Sequence, residues 1–199
     1  MRTYGNLFER MVSFDNLYAA YRAARRGKRG RPDVAAFEMD CEGNLLAMRQ
    51  ELLTGTYRFG PYRDFIVKEP RERLVSAAPF RDRIMHHALV RVLEPIWEPR
   101  FIHDSYACRK GRGTHRAILK CQQFVRDYPL ALKIDIWKFY PTVDHAILLE
   151  ILGRRVRDSR ILSIAKNLLA VRSCRGWSAA QGGRVDYVQP GVTWRFLEQ

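Results

Sequence analysis

Four cysteines in 199 residues, Cys41, Cys108, Cys121 and Cys174, include no CxxC pair and no Cys/His spacing suited to zinc. A disulfide framework and a structural zinc centre are therefore not expected, and buried free thiols are. Long apolar runs are missing as well: none approaches the roughly 20 residues that cross a bilayer, so no membrane partner is expected. The opening MRTYGNLFERM lacks the basic region and apolar block of a secretory signal, and a cytoplasmic location follows as the expectation. There is no internal repeat and no low-complexity tract. Negative charge is scarce, with 21 Asp+Glu against 35 Lys+Arg and a formal net charge of +14. Such an excess points to a polyanion, most often nucleic acid, with a solubilising basic surface or anionic lipid as alternatives. Arginine is spread through the chain among Tyr, Phe and Trp, a mixture suited to phosphate forks and base stacking rather than to a basic lipid-binding tail. A hydrophobic fraction of 47% with 12% aromatics is enough for a core and argues against disorder over most of the chain.

Periodicity predicts a helix over 6–26, carried by Leu7, Met11, Phe14, Leu17, Tyr18 and Tyr21. The basic, glycine-broken stretch Arg25–Arg31 follows, either a solvated turn or a contact to a nucleic-acid backbone. Pro32 suits the start of a second helix reaching about Leu53. Residues 62–67 and 73–77 read as a β-hairpin with a charged tip. A helix is predicted over 81–93, limited by Pro95, and another after Thr114 as N-cap. A strand over 130–136, a helix over 145–156 capped by Asp144, and a helix near 160–170 complete the pattern. Residues 172–199 show no sustained period.

Asp135 interrupts the apolar strand run Leu130-Ala131-Leu132-Lys133-Ile134-Asp135-Ile136. Alternation puts Leu130, Leu132, Ile134 and Ile136 on a core face and Asp135 on the other. On that basis alone a surface carboxylate, an ion pair, a cap and a metal ligand all remain open.

The surrounding blocks carry a resemblance. Lys133-Ile134-Asp135-Ile136 followed by Phe139-Tyr140-Pro141-Thr142-Val143-Asp144-His145 resembles the first catalytic palm motif of bacterial reverse transcriptases, as found in group II introns, retrons and diversity-generating retroelements. Arg73–Arg83 resembles the fingers motif of that family, and Ser105–His115 the segment between the two. The resemblance covers about residues 10–170. It implies an α+β fold of the polymerase right-hand type: an N-terminal helical region (1–56), a fingers-like region (57–129), a partial palm (130–171) and a divergent or frame-shifted tail (172–199).

By the same resemblance the activity is RNA-directed DNA polymerisation, in which two Mg²⁺ ions (or Mn²⁺) promote attack of a primer 3′-hydroxyl on a dNTP. Asp135 would be the catalytic metal ligand and Ile136 would offer a backbone carbonyl to the second ion. Lys68 and Arg73 would grip the triphosphate, and Tyr140 would lie beneath the sugar. Arg109, Lys110 and Arg112 would meet the template or primer backbone. Implied partners are an RNA template, a DNA or RNA primer and dNTPs, with a retroelement accessory protein as a further candidate. The sequence departs from the family after the first motif: neither a GxPxGNxxSQ-like loop nor a YxDD hairpin occurs. The expected function is thus a reverse-transcriptase fragment inactive alone. The alternative is a non-catalytic nucleic-acid-binding protein derived from one.

Overall fold

The computed structural model describes residues 3–68, 73–134, 136 and 143–173, with the side chains of Arg73, Leu74, Arg172 and Ser173 outside that description. Asp135, Tyr140 and the tail over 174–199 fall outside it. The described chain separates into two units, one of residues 3–96 with 145–173 and one of residues 97–144.

The larger unit is helical, with one hairpin. Helices α1 (Leu7–Val12) and α2 (Phe14–Arg25) replace the single helix expected over 6–26. The break has a local cause: Ser13 turns out of the helix and its hydroxyl accepts the N–H of Asn16, capping α2. Likewise α3 (Pro32–Glu38) and α4 (Cys41–Thr54) divide the helix expected from Pro32 to Leu53. Here Asp40 leaves helical geometry and accepts the N–H of Gly43. Gly55, at φ 71°, closes α4 in the left-handed conformation that glycine adopts at least cost.

Strands β1 (Arg63–Val67) and β2 (Arg73–Ala77) form the expected hairpin, antiparallel, with Arg63 opposite Ala77 and Val67 opposite Arg73. Helix α5 (Phe80–Trp97) runs past Pro95, where the sequence predicted its limit. Proline removes one N–H and crowds the preceding turn. Burial of Ile96, 3% exposed, offsets that cost over the last turn.

Helix α7 (His145–Gly153) is shorter than predicted because the chain turns after Gly153 into a bridge with the N-terminus. Tyr4 N–H donates to the Arg155 carbonyl and Arg157 N–H to that of Tyr4, each at 2.8 Å. Helix α8 spans Ser159–Ser173. The core joins Leu7, Phe8 and Met11 of α1, Leu17 of α2, Leu45 and Met48 of α4, Ile84 and Met85 of α5 and Ile161 of α8. Beside it, Phe37 and Phe80 meet edge to face at 5.3 Å, with Tyr21 stacked on Phe37 at 5.8 Å.

The smaller unit holds a short 3₁₀ turn (Glu98–Arg100), a loop, and α6 (Thr114–Asp127). Thr114 is the first helical residue rather than the cap: Gly113, at φ 92°, occupies the cap position and no side chain closes it. The strand expected over 130–136 is corrected. Its described residues carry no ladder, and Leu130, Leu132, Ile134 and Ile136 are 55–73% exposed rather than facing a core. A strand exists only where a neighbour takes its N–H and C=O groups, and the one sheet among the described residues is β1–β2. The fold is mixed, helical with a two-stranded sheet, and its described cysteines are not the buried thiols expected: Cys108 and Cys121 are exposed and Cys41 is half-buried. No described helix is long and apolar enough to cross a membrane.

Candidate nucleic-acid and nucleotide interface

In the larger unit, the sequence-predicted phosphate contacts fall on the hairpin. Val67 pairs with Arg73, so Lys68 leaves β1 beside the first residue of β2, and its side chain is exposed. Along the backbone the two residues are therefore neighbours at the loop end of the ladder. The alternation of strand residues explains the hairpin locally: Arg63, Phe65 and Val67 share one face and Asp64 and Ile66 the other.

At the opposite end of the hairpin lies a groove that the sequence reading did not anticipate. A cavity of about 420 Å³ is walled by Pro61, Ala77, Ala78 and Pro79 and rimmed by Arg31, Arg63 and Arg83, with Asp33 as the one acid. Arg83 is committed: its Nη2 donates to Asp33 Oδ2 at 2.9 Å, and its guanidinium lies over the Phe80 ring at 5.4 Å. Arg31 and Arg63 are exposed and form no ion pair among the described residues. Three arginines against one carboxylate leave a concave surface of net positive charge, suited to a phosphodiester. Arg31 belongs to the basic stretch that the sequence singled out. Arg63 and Arg83 carry no sequence signal of convergence, since it depends on how α3 and α5 pack.

Within the smaller unit, the Gly/Arg loop separates its three cations into two kinds. Arg109 Nε donates to Glu98 Oε1 at 2.8 Å, Nη1 to the carbonyls of Ile102 and Ser105 at 3.0 and 3.1 Å, and Nη2 to the Glu98 carbonyl at 3.2 Å. Its side chain is 9% exposed. The guanidinium is the hub around which residues 98–105 wrap, and it holds a turn in which Cys108 takes φ 56°, a conformation costly for a residue other than glycine. Lys110 is exposed, and Arg112 lies over the Tyr106 ring at 5.7 Å. Tyr106 donates its hydroxyl to Asp104, which with His103 holds that carboxyl below its usual range. Of the three cations, Lys110 is the exposed one, and Arg112 is half-buried against Tyr106.

Ile136 is exposed, and Asp135 and Tyr140 lie outside the described residues. Among the described residues no group of three His, Cys, Asp or Glu side chains converges as a metal site.

No protein-family model matches the chain. Over 142 residues it is 29% identical to nuclear intron maturase 2, mitochondrial, of Arabidopsis thaliana, covering 63% of this chain and 19% of that protein. It is 28% identical over 149 residues to protein YkfC of Escherichia coli strain K12, covering 71% of this chain and 36% of that one. Against the group II intron-encoded protein LtrA of Lactococcus lactis it is 24% identical over 169 residues, covering 83% and 28%. The chain is thus similar over most of its length to intron maturases and intron-encoded proteins, and spans 19–36% of the length of these three relatives.

Proposed function

We propose that the chain is a reverse-transcriptase-derived protein: it holds an RNA template with its primer on basic surfaces and grips the triphosphate of a dNTP with the β1–β2 hairpin. The observation that supports this reading is the hairpin itself, in which Arg73 opens β2 opposite Val67 and Lys68 follows β1. An arginine and a lysine carried by one hairpin suit a polyphosphate, the first as a fork and the second as a point charge. Similarity to a group II intron-encoded protein and to intron maturases supports RNA as the partner.

On this reading Asp135 is the first carboxylate of an Mg²⁺ site, with the Ile136 carbonyl beside it and the Tyr140 ring under the sugar. Mg²⁺ there would polarise the attacking and leaving oxygens. A site with a single carboxylate is too sparse for two-metal transfer, and the 199 residues contain no YxDD. The chain alone is therefore proposed to bind template, primer and dNTP without extending the primer.

A specific observation favours a second reading, a non-catalytic RNA-binding protein. The Lys110–Arg112 turn is preorganised by Arg109 independently of any metal, so backbone binding needs no catalytic centre. Primer extension on an RNA template, run with Mg²⁺ and with Mn²⁺ beside a binding assay, separates the possibilities. The expected result is binding of the RNA–DNA hybrid, strengthened by the cognate dNTP, with no extension. Binding that dNTP leaves unchanged supports the second reading. Extension that disappears in Asp135→Ala would show a complete catalytic site, and failure to bind RNA would overturn both readings.

A further inference from the structure

We infer that Asp82 is a positioning residue for the β1–β2 hairpin: one buried carboxylate ties the segment entering β1 to the helix that follows β2, and so sets where Lys68 and Arg73 stand. Among the described residues the hairpin pairs with no third strand, and Phe65 and Ile66 are 40% and 58% exposed. A two-stranded pair of this kind is marginal in water, so its geometry depends on how its roots are held.

Those roots meet at Asp82. It sits in the first turn of α5, is 2% exposed, and is the buried charged residue among the described ones. Oδ2 accepts the backbone N–H of Gly60 at 2.7 Å, and Oδ1 accepts the Tyr57 hydroxyl at 2.8 Å. Burial, and then the Asp82 charge, push the Tyr57 pKa upward, keeping that hydroxyl a donor. Gly60 lies three residues before β1, and Pro79 two residues after β2. A Cβ at Gly60 would stand 3.0 Å from Pro79 Cγ and 3.5 Å from Asp82 Oδ2. The two roots are therefore packed against each other, and the missing side chain is what lets Gly60 stand this close to Pro79. An exposed acid would serve the dipole of α5 equally well; burial adds the lock on Gly60.

The consequence for the triphosphate rests on the proposed function, whereas the lock itself does not. Amide hydrogen exchange by mass spectrometry on the full chain, with binding of a fluorescent dNTP to the RNA–DNA complex measured in parallel, tests each part. Asp82→Ala removes the lock from the helix side. Gly60→Ala wedges it from the loop side with the carboxylate intact, and serves where Asp82→Ala fails to fold. Asp82→Asn keeps one oxygen for the Gly60 N–H and is the conservative rescue. Exchange over residues 63–77 is expected to rise about tenfold in the first two variants, with α2 and α4 unchanged and Asp82→Asn in between. Affinity for dNTP falls while affinity for RNA holds. Wild-type exchange in the hairpin of both Asp82→Ala and Gly60→Ala overturns the inference, as does a uniform rise across the whole unit, the mark of a general stabilising role. Should the wild-type chain bind no dNTP, the reading of function fails and exchange still decides the lock.

Discussion

Arg109 spends all three guanidinium nitrogens on Glu98 and the carbonyls of residues 98, 102 and 105, while Arg31 and Arg63 stay exposed on the rim of a groove. An ammonium cannot reproduce that fork. Arg109→Lys is expected to loosen residues 98–113 by about 1–2 kcal/mol, since hydrogen bonds to charged groups are worth that order and Glu98 is partly open to solvent; faster amide exchange confined to that loop is the check. The chain shows Arg31 and Arg109 in glycine-containing basic stretches, but it does not show which carbonyls will converge on which cation. For that reason Arg109 reads as a phosphate contact in the sequence and as a loop hub in the structure. His86 adds a pH dependence. Burial lowers its pKa from the usual 6.5, and His87 shifts the same way. A lowered imidazole pKa means that the unfolded chain binds more protons, so the stability it contributes is present above about pH 6.5 and lost as pH falls toward the folded value. Thermal unfolding is expected to be flat from pH 7 to 8 and to move to lower temperature between pH 6.5 and 5. His86→Leu should weaken that slope.

At the level of elements, Asp158 closes two helices at once. Its Oδ2 accepts the Phe8 N–H of α1 at 2.9 Å, and its Oδ1 accepts the Arg160 N–H of α8 at 3.2 Å. Arg160 in turn pairs with Glu9 and lies over the Phe8 ring. Losing a cap costs about 0.5–2 kcal/mol, so Asp158→Ala is expected to cost roughly twice a single cap, near 2–3 kcal/mol by denaturant unfolding; less than about 1 kcal/mol would mean that water replaces both bonds. The pairing spans 150 residues, which local periodicity cannot foresee. What periodicity could foresee is clear from the hairpin: alternation and a charged turn are local, and β1 and β2 form where the pattern puts them. Helix breaks at Ser13 and Asp40 were readable in principle, because both are good N-caps, but the apolar period runs on through them. Pro95 misleads in the other direction, since burial of Ile96 carries α5 past it. Residues 130–134 have a strand's alternation and no ladder, because a strand is completed by its neighbour and not by its own sequence.

For the whole molecule, the net charge of +14 sets how binding responds to salt. If RNA is held through phosphates, affinity falls steeply and linearly in log–log form as salt rises, with each neutralised phosphate adding about 0.7–0.9 to the slope. Arg31→Ala and Arg63→Ala are each expected to lower the slope by about one such increment, and Arg109→Ala to do so only through the disorder it causes in its loop. Filter binding from 50 to 200 mM salt gives the comparison. In the proposed function the hairpin is where a nucleotide is gripped. Photocrosslinking a dNTP bearing a reactive group on its γ-phosphate to the chain bound to an RNA–DNA primer–template, with the adduct mapped by mass spectrometry, addresses it most directly. The expected result is an adduct within residues 63–77 that unlabelled dNTP competes away and that Lys68→Ala with Arg73→Ala abolishes. An adduct that lies elsewhere, or that survives both substitutions, would contradict it.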